Sequence, residues 1–175
     1  MSQLSAASRA MIDRLIAFDT TSRDSNLALI DYVQDYLRGH GVASELVPSE
    51  DGRKANLFAT IGGDSRPGVI LSGHTDVVPV DGQPWDTEPF KVTQREGLIY
   101  GRGTSDMKSF VAVCLALVPE MVAAKPKQPI HLAFSYDEEV GCLGVRRLID
   151  QLVKRGLKAQ ACIVGEPTEM RVVVG

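Results

Sequence analysis

Apolar residues at Leu4, Ala7, Met11, Leu15 and Phe18, and again at Leu27, Ile30, Val33 and Leu37, recur three or four apart. That spacing lines one face of a helix, and Gly39 and Gly41 end the second run. The chain therefore opens with two amphipathic helices. After Val42 the pattern shortens to extended pieces, Ala43 to Val47 and Asn56 to Ile61, divided by the turn-forming stretch Pro48 to Gly52. Three later runs, Val69 to Leu71, Ile130 to Phe134 and Ala161 to Val164, are short and almost wholly apolar, as strands are when helices cover both faces. Between them helical spacing returns at Val111, Cys114, Val118 and Met121, with Ser105 as the expected cap and Pro119 kinking or ending the run. A last helix carries Val145, Leu148, Ile149 and Leu152 up to Gly156. Strands alternating with helices predict an α/β fold, with helices packed on both faces of a mostly parallel central sheet. The Pro- and Gly-punctuated segment from Trp85 to Gly103 reads as an excursion across one edge, anchored by packing of Trp85 and Phe90.

Composition narrows the partners. With 175 residues, 44% of them hydrophobic and 23% charged, the chain has the makeup of one globular domain. Nineteen Lys and Arg stand against twenty-two Asp and Glu, a net charge of −3, so no basic surface for nucleic acid is expected. There is no apolar run of membrane-spanning length and no secretion-type amino end, which makes a cytoplasmic protein the default expectation. The three cysteines, Cys114, Cys142 and Cys162, match neither a disulfide framework nor a CxxC site and are expected to be buried, reduced thiols. Gly101-Arg-Gly103 lacks the third glycine of a dinucleotide fingerprint, and no Walker-type or Gly-x-Ser-x-Gly sequence is present.

The polar residues fall into a pattern of their own. Each of the three apolar runs leads at its carboxyl end into potential metal ligands: His74 and Asp76, then Asp137, Glu138 and Glu139, then Glu166 and Glu169. Carboxyl ends of strands in open α/β sheets line the crevice where ligands bind. Asp106 adds a carboxylate just before a helix. Without a cation, each pair of carboxylates about 4 Å apart would cost roughly 4 kcal/mol at an effective dielectric of about 20. One imidazole among several carboxylates suits zinc, cobalt or manganese, and a shared carboxylate suits a two-metal hydrolase. His74 and Asp76, two apart on an extended segment, point the same way, so Asp76 can orient or charge-stabilise the histidine. Adjacent Glu138 and Glu139 cannot both face one side of a strand and belong in the turn beyond it. One of them can then bind metal while the other takes a proton from an attacking water. Asp137 and Glu169 are expected to be solvated loop acids. Arg102 and Lys108 are expected to balance the acidic cluster or a helix end, whereas His40 and His131 lie outside the pattern.

These residues resemble the M20 metallopeptidase family of dinuclear zinc amidohydrolases over essentially the entire chain. The runs Ser72-Gly-His74-Thr-Asp76-Val-Val-Pro79, Tyr100-Gly-Arg-Gly-Thr-Ser-Asp106-Met-Lys108, Asp137-Glu138-Glu139 and Gly165-Glu166-Pro-Thr168 occur in the family's order and approximate spacing. The resemblance implies a zinc-exopeptidase-like catalytic domain in which His74 and Glu166 hold one Zn2+, Glu139 holds the other and Asp106 bridges them. Co2+ would be a substitute metal. It further implies that Glu138 is the general acid and base, that Asp76 supports His74, and that the peptide after Asp106 is a candidate for the cis form.

Within the family, Val78 to Trp85 and Ala133 to Gly144 are most similar to members that deacetylate N-acetylornithine, a step of arginine synthesis. Members acting on acetylcitrulline, succinyl-diaminopimelate, other N-acyl amino acids or dipeptides are the nearer alternatives, and a noncatalytic metal-binding fragment is a further one. The expected partner is thus a small N-acyl amino acid, with neither nucleic acid nor membrane, and the family implies a homodimer. Ser105 and Ser109 stand where relatives often read Cys and Gly. The family's second zinc takes a further histidine from a later segment, and an inserted lid completes the substrate site. Residues 1–175 are therefore expected to be the amino-terminal part of one catalytic domain without its lid, and inactive alone.

Overall fold

The computed structural model describes residues 4–63, 67–169 and 171. Two helices open the chain, α1 (Ala6–Ile16) and α2 (Leu27–Gly39). Ser5 caps α1 by accepting the Ser8 amide at 3.0 Å. The hairpin β1 (Ser44–Pro48) and β2 (Ala55–Ile61) follows, then β3 (Gly68–His74). The expected excursion contains a small hairpin of its own, β4 (Thr93–Arg95) and β5 (Leu98–Tyr100). After it come α3 (Lys108–Ala116), α4 (Val118–Ala124), β6 (Ile130–Ser135), α5 (Leu143–Lys154) and β7 (Ala159–Val164).

The five-stranded sheet runs β1-β2-β6-β3-β7. Strands β6, β3 and β7 are parallel, while β1–β2 and β2–β6 are antiparallel. The fold is α/β as the pattern predicts, but the sheet is mixed, because β1 and β2 are joined by a short turn that only antiparallel neighbours accept. Residues alternate between two cores. Leu57, Ala59, Ile61, Leu132 and Phe134 pack under α1, α2 and α3, whereas Val47, Phe58 and Ala133 pack with Leu148 of α5 on the opposite face. Helices therefore cover both faces, as expected.

Some expectations are corrected. Helix α3 starts at Lys108, with Met107 as a cap lacking a side-chain bond, so Ser105 is not its cap. Pro119 does interrupt helicity: α3 ends at Ala116 and Pro119 sits in the first turn of α4, where its missing N–H costs nothing. The run Ala161 to Val164 is exposed along its length, because among the described residues β7 is the edge strand of the sheet and no helix covers it. Cys114 is buried, but Cys142 at the start of α5 and Cys162 on that edge strand are exposed; all three are free thiols. No described helix is long and apolar enough to cross a membrane.

Candidate metal centre

The parallel half of the sheet places its carboxyl ends together. His74 is the last residue of β3, Ser135 pairs with it at the end of β6, and Gly165 continues β7 by donating its amide to the Ser72 carbonyl at 3.3 Å. Close approach sets the local sequence. A Cβ on Gly165 would stand 2.0 Å from the Phe110 ring, and one on Gly73 would stand 3.0 Å from Met107 and Val111. Glycine at 165 thus lets the chain pass α3 and bring Glu166 to the centre. Asp106 arrives from the turn before α3 through a cis Asp106–Met107 peptide, and Met107 is itself buried, its sulfur accepting the His74 amide at 3.3 Å.

The imidazole of His74 is 1% exposed. Its Nδ1 bonds the backbone carbonyl of Asp76 at 2.9 Å, with the Asp76 carboxylate 3.5 Å away. Its Nε2 faces the acids: Asp106 at 2.9 Å, Glu138 at 3.7 Å and Glu166 at 3.7 Å. Two sets of donor atoms lie within 4.8 Å of one another, His74 with Asp106 and Glu139, and His74 with Glu138 and Glu166. Burial works against the imidazolium, but the Asp76 carboxylate outweighs it and pushes the His74 pKa up to about 9. Burial followed by the charge of Asp106 raises Glu139; burial with neighbouring Asp106 and Glu138 raises Glu166 against the pull of His74. Crowded carboxylates that resist ionisation beside one imidazole form a donor set that fits a divalent cation.

Behind these donors, Asp76 is 2% exposed, and burial opposes its charge. Its bonds to His74, Ser22 and the Glu138 amide nevertheless hold its pKa below the ordinary value. The Ser22 hydroxyl donates to Oδ2 at 2.7 Å, the Glu138 amide to Oδ1 at 3.1 Å and the Glu139 amide to Oδ2 at 3.2 Å. Asp76 thus pins the turn carrying both glutamates to the strand carrying His74. Glu138 and Glu139 lie in that turn beyond β6, as expected.

Other residues depart from the sequence reading. Asp137 is not solvated but paired with Lys54, both side chains being mostly buried. Lys108 is fully buried and donates to the Phe18 carbonyl at 2.8 Å, and Arg102 lies over Trp85 at 5.1 Å, so neither balances the acids. Glu169 is exposed, and His131 is buried against Thr60 and Phe58 away from the donors. Ser22 and Lys54 were invisible to sequence reasoning. Ser22 lies in the polar stretch Asp19 to Asn26 between two helices, which reads as solvated loop, yet Thr20, Thr21, Ser22 and Asn26 are all buried.

Residues 70–175 match the family described as Peptidase family M20/M25/M40. The chain belongs to that family. Among curated relatives, it is 35% identical to the acetylornithine deacetylase of Pasteurella multocida (strain Pm70) over 170 residues, and 38% identical to that of Myxococcus xanthus over 175. These alignments cover 93% and 97% of this chain but 44% of each relative, so the chain spans less than half their length. The fold is shared with the M20 family metallo-carboxypeptidase Sso-CP2 from Sulfolobus solfataricus: TM-score 0.78 and 22% identity, over 93% of this chain and 37% of that one. It is shared also with human carnosine dipeptidase 1, at TM-score 0.77 and 22% identity over 90% and 38%.

Proposed function

We propose that residues 1–175 form the metal-holding part of a zinc-dependent amidohydrolase that converts N-acetyl-L-ornithine to ornithine and acetate in arginine biosynthesis. The observation that carries the chemistry is the meeting of His74, Asp106, Glu138, Glu139 and Glu166 at the carboxyl end of the sheet. Kinship at 35–38% identity to acetylornithine deacetylases supports the substrate.

In this reading His74 and Glu166 would hold one ion, Glu139 would hold a second, and Asp106 would be shared between them. Asp106 suits the bridge because it contacts His74 and Glu166 and crowds Glu139. Bound divalent metal supplies Lewis-acid polarisation of an amide carbonyl and acidifies water. The chain's own residues do the rest. Asp76 and its backbone carbonyl keep the proton of His74 on Nδ1, leaving Nε2 free to bind. Glu138 takes the proton of the attacking water on its carboxylate and delivers it to the departing amine nitrogen. One of its oxygens accepts the Cys142 thiol at 3.4 Å, which leaves Oε2 turned toward the centre.

Three donors (His74, Asp106 and Glu166) make a sufficient site for one zinc, whereas Asp106 and Glu139 alone make a weak second. Titration of the purified 175-residue chain with zinc is expected to reveal one firm site, with negligible hydrolysis of N-acetyl-L-ornithine. Glu138→Gln should keep that zinc, and Asp106→Ala should weaken it by at least about tenfold, because losing a ligand costs no less than losing a partner behind one. Equal zinc loss in both variants would undo the division of roles. In a full-length protein bearing this chain, N-acetyl-L-ornithine should be turned over faster than N-acetylcitrulline or N-succinyl-diaminopimelate, and the reverse order would replace the substrate.

A further inference from the structure

The carboxylate of Asp76 and the acidic turn are tied together twice, and the second tie runs through residues outside the donor set. The Ser22 hydroxyl donates to Asp76, and the Glu138 amide donates to the other oxygen of the same carboxylate. The Lys54 ammonium donates both to the Ser22 carbonyl and to the carboxylate of Asp137, the residue before Glu138. The bonds close a ring: Ser22 to Asp76, Asp76 to the Asp137–Glu138 backbone, Asp137 to Lys54, Lys54 back to Ser22. Four separate segments meet in it: the α1–α2 loop, the stretch just after β3, the turn after β6 and the residue before β2.

The ring is enclosed. Lys54 and Asp137 side chains are 16% and 17% exposed, Ser22 is 7% exposed and Asp76 2%. Asp137 holds a left-handed backbone, φ 55°, which bends the chain so that the next two amides aim at Asp76. A lysine spanning a carbonyl and a partly buried carboxylate fixes both more firmly than an exposed pair would.

We propose that Lys54 is a positioning residue of the metal centre, holding through Ser22 the Asp76 carboxylate that orients His74 and through Asp137 the Glu138–Glu139 turn. This rests on the metal-binding reading above. Lys54 touches neither donor atoms nor substrate; it acts through Asp137 and Ser22.

The test uses the 175-residue chain, with zinc affinity measured by competition against a chromophoric chelator and the visible spectrum of the Co2+ form reporting coordination geometry. Lys54→Met is expected to weaken zinc about 10- to 100-fold and to alter the cobalt spectrum, the range seen when outer partners of metal ligands are lost. Lys54→Arg, which keeps the donors and the charge, should recover most of both. Asp137→Asn, which removes the charge that Lys54 holds and tolerates the same left-handed backbone, should weaken zinc in the same direction and decides the matter alone if Lys54→Met does not fold. A cavity made elsewhere in the core by Leu37→Ala should lower the melting temperature yet leave affinity and spectrum unchanged, which separates positioning from general stability. A wild-type chain that binds zinc while Lys54→Met and Asp137→Asn bind it equally well, with unchanged cobalt spectra, overturns the positioning role and leaves the metal reading standing. A wild-type chain that binds neither ion overturns both.

Discussion

Nδ1 of His74 is committed to the Asp76 carbonyl, and that bond decides what Nε2 can do. With its pKa raised to about 9, the ring is an imidazolium at neutral pH until a metal displaces the Nε2 proton. Raised above its ordinary 6.5, the charged ring contributes stability that is full below about pH 6.5 and lost as pH climbs through about 9. Zinc binding runs the other way. Its affinity is expected to rise about tenfold per pH unit between pH 6 and 8 for each proton released, and chelator competition at three pH values checks it. A flat profile would mean that His74 is not a ligand. Lys108 behaves differently, since burial lowers its pKa to about 7 from 10.5. The unfolded chain then holds that proton more tightly from about pH 7 to 10.5, so stability rises with pH in that window. Relative to Lys108→Met, the wild type should gain on the order of 2–3 kcal/mol in urea unfolding between pH 7 and 9.5. At this scale the residues that meet around His74 were legible in the sequence, because Glu138, Glu139 and Glu166 each follow an apolar run and Asp106 stands just before a helix. Ser22, Lys54 and Lys108 were not, since a polar loop and a lysine give no local sign of burial.

Among the elements, what the sequence predicted best was what periodicity controls: α1, α2, α5 and the three apolar strands all form near the expected positions. Start signals failed where tertiary geometry overrides them. Helix α3 begins at Lys108 without a side-chain cap because Asp106 and Met107 are turned toward the centre. Edge position was likewise unreadable, because an apolar strand looks the same at the rim of a sheet as in its middle, and Cys162 goes with it to the surface. The junction of β6 and α5 is closely packed. The Asn56 side chain receives the Tyr136 amide at 3.3 Å and donates to the Gly144 carbonyl at 2.9 Å, while a Cβ at Gly144 would stand 2.1 Å from the Tyr136 carbonyl. Gly144→Ala is therefore expected to destabilise the chain by about 1–3 kcal/mol in denaturant melts, despite the better helix propensity of alanine. A neutral or stabilising result would show that α5 can move away without cost.

On the scale of the whole molecule, the mixed sheet does one thing for function: its parallel half aligns the ends of β3, β6 and β7, so acids remote along the chain reach one imidazole. Their mutual repulsion, roughly 4 kcal/mol per close pair at an effective dielectric of about 20, is relieved by a cation. The most direct measurement is anomalous diffraction at the zinc edge from crystals of residues 1–175 grown with zinc. A single strong peak about 2.0–2.2 Å from His74 Nε2 and from carboxylate oxygens of Asp106 and Glu166 is the predicted result. Zinc bound only to other side chains, with these three left apart, would contradict the account.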